Sequence, residues 1–195
     1  MSTEGAAQIF ARLRSSAWER ALYATGTAHI FEVRARSLRR RLNRLAFAGL
    51  VLPVAVGAVV IAYGASVPRL SVVIGIAAAL GAVQLIVALW SVVQGWPDSY
   101  ERATRSLLAN QALAQDFESL AKDPPTTVPR LRSQLELLAA KDDGQRQQDH
   151  AQDISEREKR MGMRAALLRY DRQCAKCRIV PANMKSTNCG VCGDF

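Results

Sequence analysis

Cys174, Cys177, Cys189 and Cys192 are the only cysteines in the chain, and they stand as CxxC, eleven residues, CxxC at its C-terminal end. A two-residue insert lets both sulfurs of a pair turn toward one ion, so two such pairs supply the four thiolates of a tetrahedral structural zinc site. Gly190 and Gly193 flank the second pair, where a knuckle turn often calls for positive φ and where backbone must fold over the thiolates to donate N–H to sulfur. Four thiolates on Zn²⁺ leave a formal charge of about −2, which Lys176, Arg178 and Lys185 lie close enough in sequence to offset. Metal binding of this kind contributes on the order of 10 kcal/mol in small zinc peptides, enough to order a tail of about twenty residues with no core of its own.

Other uses of the cysteines fit less well. Paired disulfides need an oxidising compartment, a thioredoxin-like site needs a βαβ context, and catalytic zinc needs a vacant coordination position that four cysteines do not leave. His29 and His150 are the only histidines, and each reads as a solvated or packed side chain. The sequence holds no HExxH, no phosphate-cradling glycine loop and no Ser/His/Asp set, so enzyme activity is not expected.

The elements that must carry this knuckle are mostly not those of a water-soluble core. Residues 45–67 and 70–96 are uncharged, and at about 1.5 Å per helical residue each can cross a hydrocarbon layer of about 30 Å. Only Pro68 and Arg69 separate them, which predicts an antiparallel transmembrane hairpin. Nine Lys and Arg against three Asp and Glu precede Leu45, a net +6 within the total of +9. Arg34, Arg36, Arg39, Arg40, Arg41 and Arg44 gather just before the first span, where anionic headgroups would lie. The hairpin tip carries Arg69 alone, so positive-inside bias predicts a multi-pass inner-membrane protein with both termini in the cytoplasm. No signal peptide is expected, because the first apolar run begins after a dense basic cluster.

The sequence thus predicts an all-α membrane protein in four parts. These are a basic helical region over 1–44, the transmembrane hairpin over 45–96, a cytoplasmic helical region over 97–172 and the zinc knuckle over 173–195. One helix is expected over 17–44, with Trp18, Leu22, Phe31, Leu38 and Leu42 as its apolar stripe and Gly26 as a weak point. A helix from Tyr100 to Leu120 ends at the proline-rich segment 123–129, and another runs over 130–140 before a turn at 141–144. Residues 145–153 read equally as loop or exposed helix. Ser155 and Glu158 form a capping box opening the helix that leads to the cysteines.

On the second span Ala77, Gly81, Gln84, Ala88, Ser91 and Gly95 recur at spacings of 4, 3, 4, 3 and 4, within about 40° of one line. Two readings of this small, weakly polar face stand. It packs closely on another helix, or, with Gln84 costly in lipid, it lines a water-filled path in an oligomer. On the first span Ala48, Ala55, Ala58, Ala62 and Ala65 form a strip expected to join the two spans, and Pro53 is expected to kink the helix.

The order of basic helix, two spans and soluble helices resembles the SLATT family of two-transmembrane effector domains from bacterial conflict systems. The tail is similar to that of the prokaryotic mobilome CxxCx(11)CxxC family, on its cysteine spacing and on ProAlaAsnMetLysSerThrAsnCysGlyValCysGly at 181–193. The first resemblance implies an effector that disrupts the membrane during antiphage or mobile-element conflict. Because two helices cannot enclose a pore, a homo-oligomer is expected, and because no sensor domain is recognisable, a protein partner encoded nearby is expected to supply the trigger. The rival expectation is a membrane-anchored zinc module that holds nucleic acid or protein. The tail lacks interleaved aromatics for stacking bases, which favours the first.

Overall fold

The computed structural model describes residues 3–63 and 70–195, and these are helical with no strand among them. The helices are α1 (Thr3–Tyr63), α2 (Leu70–Val93), α3 (Trp96–Lys122), α4 (Val128–His150) and α5 (Glu156–Arg169). Pro68 and Arg69, the expected tip, and Ala65 of the alanine strip lie outside the described residues. The chain divides into two compact units, one of Met1–Val33 with Ala103–Phe195 and the other of Arg34–Arg102.

In the first unit, α1, α3 and α4 bury Ala17, Ala21, Ala24, Leu113, Ala114, Phe117, Leu120, Ala121, Leu131 and Leu135 together. The face that α1 turns inward is made largely of alanines, which let the helices approach closely. Of the expected stripe, Leu22 and Phe31 are buried and Trp18 packs from the margin. Gly26 is a crossing point and not a weak one. A Cβ there would meet the Gly162 carbonyl oxygen at 3.0 Å, and one on Gly162 would meet the Gly26 oxygen at 2.5 Å.

Helix α3 ends at Lys122, as the proline-rich segment predicts, and Thr127 is the N-cap of α4 with a proline in its first turn. The turn expected at 141–144 does not form. Helix α4 continues to His150 because its polar end is buried and paired: Asp142 receives Arg20 at 2.8 Å and Arg146 at 3.0 Å. Two turns further, Asp149 accepts from Asn110 at 2.7 Å and from Gln145 at 2.8 Å. Gly144, with nothing within 4 Å of a built Cβ, sits inside the helix at ordinary propensity cost. The capping box at α5 is complete, with Glu158 N–H donating to Ser155 and the Ser155 N–H donating to the Glu158 carboxylate at 2.9 Å.

In the second unit, Gly75–Val93 is long and apolar enough to cross a membrane, at mean hydropathy 2.3 with 6% of it buried. Helix α2 stops at Gly95, whose φ of +61° is the left-handed conformation a helix C-terminus favours in glycine. Pro97 and Asp98 then open α3.

Candidate metal centre

Helix α5 leads through Tyr170 to the first cysteine pair, and the aromatic side chain fixes that exit. The Tyr170 ring stands edge-on to Trp18 at 5.9 Å, and its hydroxyl lies 3.1 Å from Thr25 Oγ1 and 3.3 Å from a Glu118 carboxylate oxygen. Beyond it, the backbone wraps each cysteine pair. Cys174 N–H donates to Ile179 O at 3.1 Å and Arg178 N–H to Cys174 O at 2.9 Å. In the second pair Gly193 N–H donates to Cys189 O at 2.8 Å and Asp194 N–H to Thr187 O at 2.5 Å.

The left-handed conformation expected of the knuckle glycines falls instead on Arg178 (φ 59) and Asp194 (φ 56). Gly193 is needed for a different reason: a Cβ there would run into the Thr187 backbone and hydroxyl. Gly190 carries the Lys176 ammonium over it, 3.0 Å from where a Cβ would stand.

The four sulfurs lie within 4.8 Å of one another. Cys174 and Cys189 are 3.9 Å apart and Cys177 and Cys192 3.8 Å. Ligands about 2.3 Å from zinc at tetrahedral angles stand about 3.8 Å apart, so the cluster has the size of a ZnS₄ centre. A disulfide, at about 2.05 Å, is excluded by the same distances, and all four are free thiols. The N–H groups of Cys192 and Val191 draw the Cys189 thiol down to about 6, while burial pushes the Cys192 thiol up. A thiolate already stabilised by backbone donors is what a soft cation requires. These four cysteines can therefore hold a zinc ion, whose contribution would be structural.

The knuckle is not an independent tail. Cys174 and Cys192 are buried with Leu22 of α1 and with Ala166 and Leu167 of α5, and Met163 and Tyr170 pack around them. Arg164, buried on the inner face of α5, donates from Nε to Asn183 O at 2.7 Å and from Nη1 to Cys192 O at 3.2 Å. One turn earlier Arg160 donates to Asp194 O at 3.1 Å. Neither arginine was singled out by spacing, although an arginine set among Met163, Ala166 and Leu167 on an amphipathic helix is a sign of a buried cation. Lys176, Arg178 and Lys185 are exposed, beside a groove of about 520 Å³ lined by Ile179, Val180, Pro181 and Asn188. His29 pairs with Glu32 at 3.5 Å and His150 is exposed, so neither joins the cysteines.

In the second unit, Ala77, Gly81 and Gln84 of α2 line one groove with Gly49, Pro53 and Gly57 of α1. The Gln84 amide lies against the α1 backbone, where its nitrogen can donate to Ala48 O at 3.3 Å. Ser91 is buried, Gly95 half-buried and Ala88 exposed. Of the alanine strip, Ala48 is half-buried beside Gln84 while Ala55 and Ala58 are exposed, and the close approach to α2 is at Gly49, where a Cβ would stand 2.8 Å from the Gln84 amide. Of the basic cluster, Arg36, Arg39, Arg40, Arg41 and Arg44 are exposed and Arg34 half-buried, with the Arg41 guanidinium 5.7 Å from the Trp96 ring centre.

A family model described as "Mobilome CxxCx(11)CxxC protein" matches residues 14–195, the helices together with the cysteines. No curated protein and no solved structure matches the chain.

Proposed function

The chain belongs to the mobilome CxxCx(11)CxxC family, and from that premise we propose that it is a non-enzymatic, SLATT-like membrane effector. In this reading residues 45–67 and 70–96 cross the inner membrane as a hairpin with both termini in the cytoplasm. Several copies assemble, and the assembly permeabilises the membrane in an antiphage or mobile-element conflict. A protein partner from a neighbouring gene supplies the trigger, and anionic headgroups engage the arginines at 34–44.

The observation that carries the reading is the surface of α2. Leu85, Ile86, Leu89, Trp90, Val92 and Val93 are between 57% and 79% exposed within a span of mean hydropathy 2.3. Water does not tolerate so large a continuous apolar surface, whereas lipid and further copies of the same hairpin do. Two helices cannot enclose a path, so permeation requires assembly.

Induced expression, alone and with the neighbouring gene, is expected to depolarise cells loaded with a voltage-sensitive dye. An unchanged membrane potential in both conditions refutes the effector reading. Gln84→Leu separates the two roles of its face. Loss of depolarisation with the hairpin still folded assigns Gln84 to a water path, and loss of both assigns it to the α1–α2 contact.

A second reading is favoured by the exposed Lys176, Arg178 and Lys185 beside the apolar groove: a membrane-anchored zinc module that holds a partner. Salt-sensitive binding of nucleic acid by the full chain, abolished when the three become alanine, would support it.

A further inference from the structure

Arg164 is 6% exposed, and among the described residues no carboxylate pairs with it. Its guanidinium is spent on two neutral carbonyls, Asn183 O at 2.7 Å and Cys192 O at 3.2 Å. A buried charge without a counter-charge is costly enough that proteins seldom keep one. A source of negative charge stands beside it in the sulfur cluster, since Arg164 lines the same groove as Cys177, Cys189 and Cys192, and the neighbouring Asp194 is paired with Arg160. A tetrathiolate zinc centre carries a formal charge of about −2. Lys176, Arg178 and Lys185 are exposed, so their charges are screened by water in a way that the buried Arg164 is not.

The helix that carries Arg164 is held from its other side. Gly162 meets Gly26 of α1 so closely that a Cβ on Gly162 would stand 2.5 Å from the Gly26 oxygen and 2.9 Å from Ile30 Cγ1. Leu22 of α1 shares a cluster with Ala166, Leu167, Cys174 and Cys192. About one turn of α5 therefore separates the residues packed on the cysteine cluster, Ala166 and Leu167, from the close backbone crossing at Gly162.

We infer that Arg164 is the buried counter-charge of the metal centre, and that through it metal loading holds α5 against α1 at the Gly26–Gly162 crossing. The site is then a clasp on the helix that runs on into residues 34–63, and not a private fold of the last twenty or so residues. The inference rests on zinc occupying the cysteines, and it is independent of whether the hairpin permeabilises membranes.

The full chain in detergent tests it. Zinc is removed with a strong chelator, and amide hydrogen exchange is followed in 20–32 of α1 and 158–168 of α5. Exchange in both segments is expected to accelerate at least tenfold on metal removal, and acceleration confined to 173–195 overturns the coupling. Zinc affinity is then measured by chelator competition for Arg164→Met and Arg164→Lys. The methionine variant is expected to lose tenfold to a hundredfold, about the range of outer ligand-shell residues, and the lysine variant, which keeps the charge, to lose less. Wild-type affinity in both variants overturns the counter-charge role. Should Arg164→Met not fold, the lysine variant and the wild-type exchange comparison still decide.

Discussion

Along α1, burial of apolar residues differs on the two sides of Val33. Before it an inward face is covered: Ala17, Ala21, Ala24, Ala28 and Phe31 are at most 6% exposed. After it the large ones are uncovered: Leu50 is 71%, Val54 70% and Ile61 86% exposed. One helix thus runs from a unit whose alanines admit close neighbours into a unit whose leucines and valines face outward. Exposed apolar area opposes folding in water, at about 25 cal/mol per Å², and costs nothing in hydrocarbon. The first unit is built against its own side chains, whereas the second leaves its apolar side chains uncovered, a surface that the proposed hairpin would place against lipid or further copies.

The strongest way to break that contrast is to remove the metal. Cys174→Ser, at a fully buried ligand, is expected to abolish zinc binding measured by metal analysis. Binding of this kind contributes on the order of 10 kcal/mol. Helical signal from the second unit should persist in detergent, since no cysteine lies in it. Collapse of both units together would mean that they do not fold separately.

Core truncation should separate the units by a smaller margin. Phe117→Ala, at a side chain with no exposure, is expected to cost about 3–5 kcal/mol in denaturant unfolding. Leu89→Ala, at 67% exposure, should cost less than about 1 kcal/mol in a monomeric micelle preparation. A core-sized loss at Leu89 would reveal that another copy covers it.

Glycine offers a finer comparison within the first unit. Gly162→Ala forces a Cβ to within 2.5 Å of the Gly26 oxygen and is expected to destabilise by about 1–3 kcal/mol. Gly144→Ala meets nothing within 4 Å and should stabilise by about 1 kcal/mol through helix propensity. Thermal unfolding of the two variants reads both signs.

How far the sequence disclosed this molecule follows from which signals are local. The CxxC pairs and the Ser155–Glu158 capping box are set by residues a few positions apart, and the structure has both. The end of α3 before Pro124 is local in the same way. What the sequence hid depends on distant partners. Asp142 read as part of a turn, and Asp149 as part of a segment equally loop or exposed helix, because Arg20 and Asn110, which satisfy them, lie 122 and 39 residues away. Gly26 read as a weak point because its neighbour is Gly162. Gly49, which no alanine count includes, is where α1 comes close to Gln84 of α2. Arg164 was hidden because its carbonyl partners stand on a loop whose path only the metal knuckle defines.

The smallest effect is expected from acid, and it bears on the same contrast. Between Leu45 and Trp96 no residue carries a carboxylate, so that apolar stretch of the second unit has no acid to titrate as pH falls, whereas the first unit is laced with buried and paired acids. Glu118 is the one to isolate. A hydrogen bond from Lys122 is the chief cause holding its carboxyl below the ordinary 4.5, with Tyr170 and Arg169 adding and partial burial opposing. A carboxyl whose folded value is depressed stabilises the fold fully above the unfolded value, and that stabilisation is lost as pH falls through the folded one. Wild-type stability should therefore decline below pH 4.5, and Glu118→Gln should show a shallower decline in that window. Lys122 is 62% exposed, so the difference is expected to stay within about 1 kcal/mol. Far-UV circular dichroism of detergent-held protein between neutral pH and pH 3 reads it. Helix belonging to residues 70–93 should survive that titration in both proteins, because its exposed leucines and valines have no proton to gain.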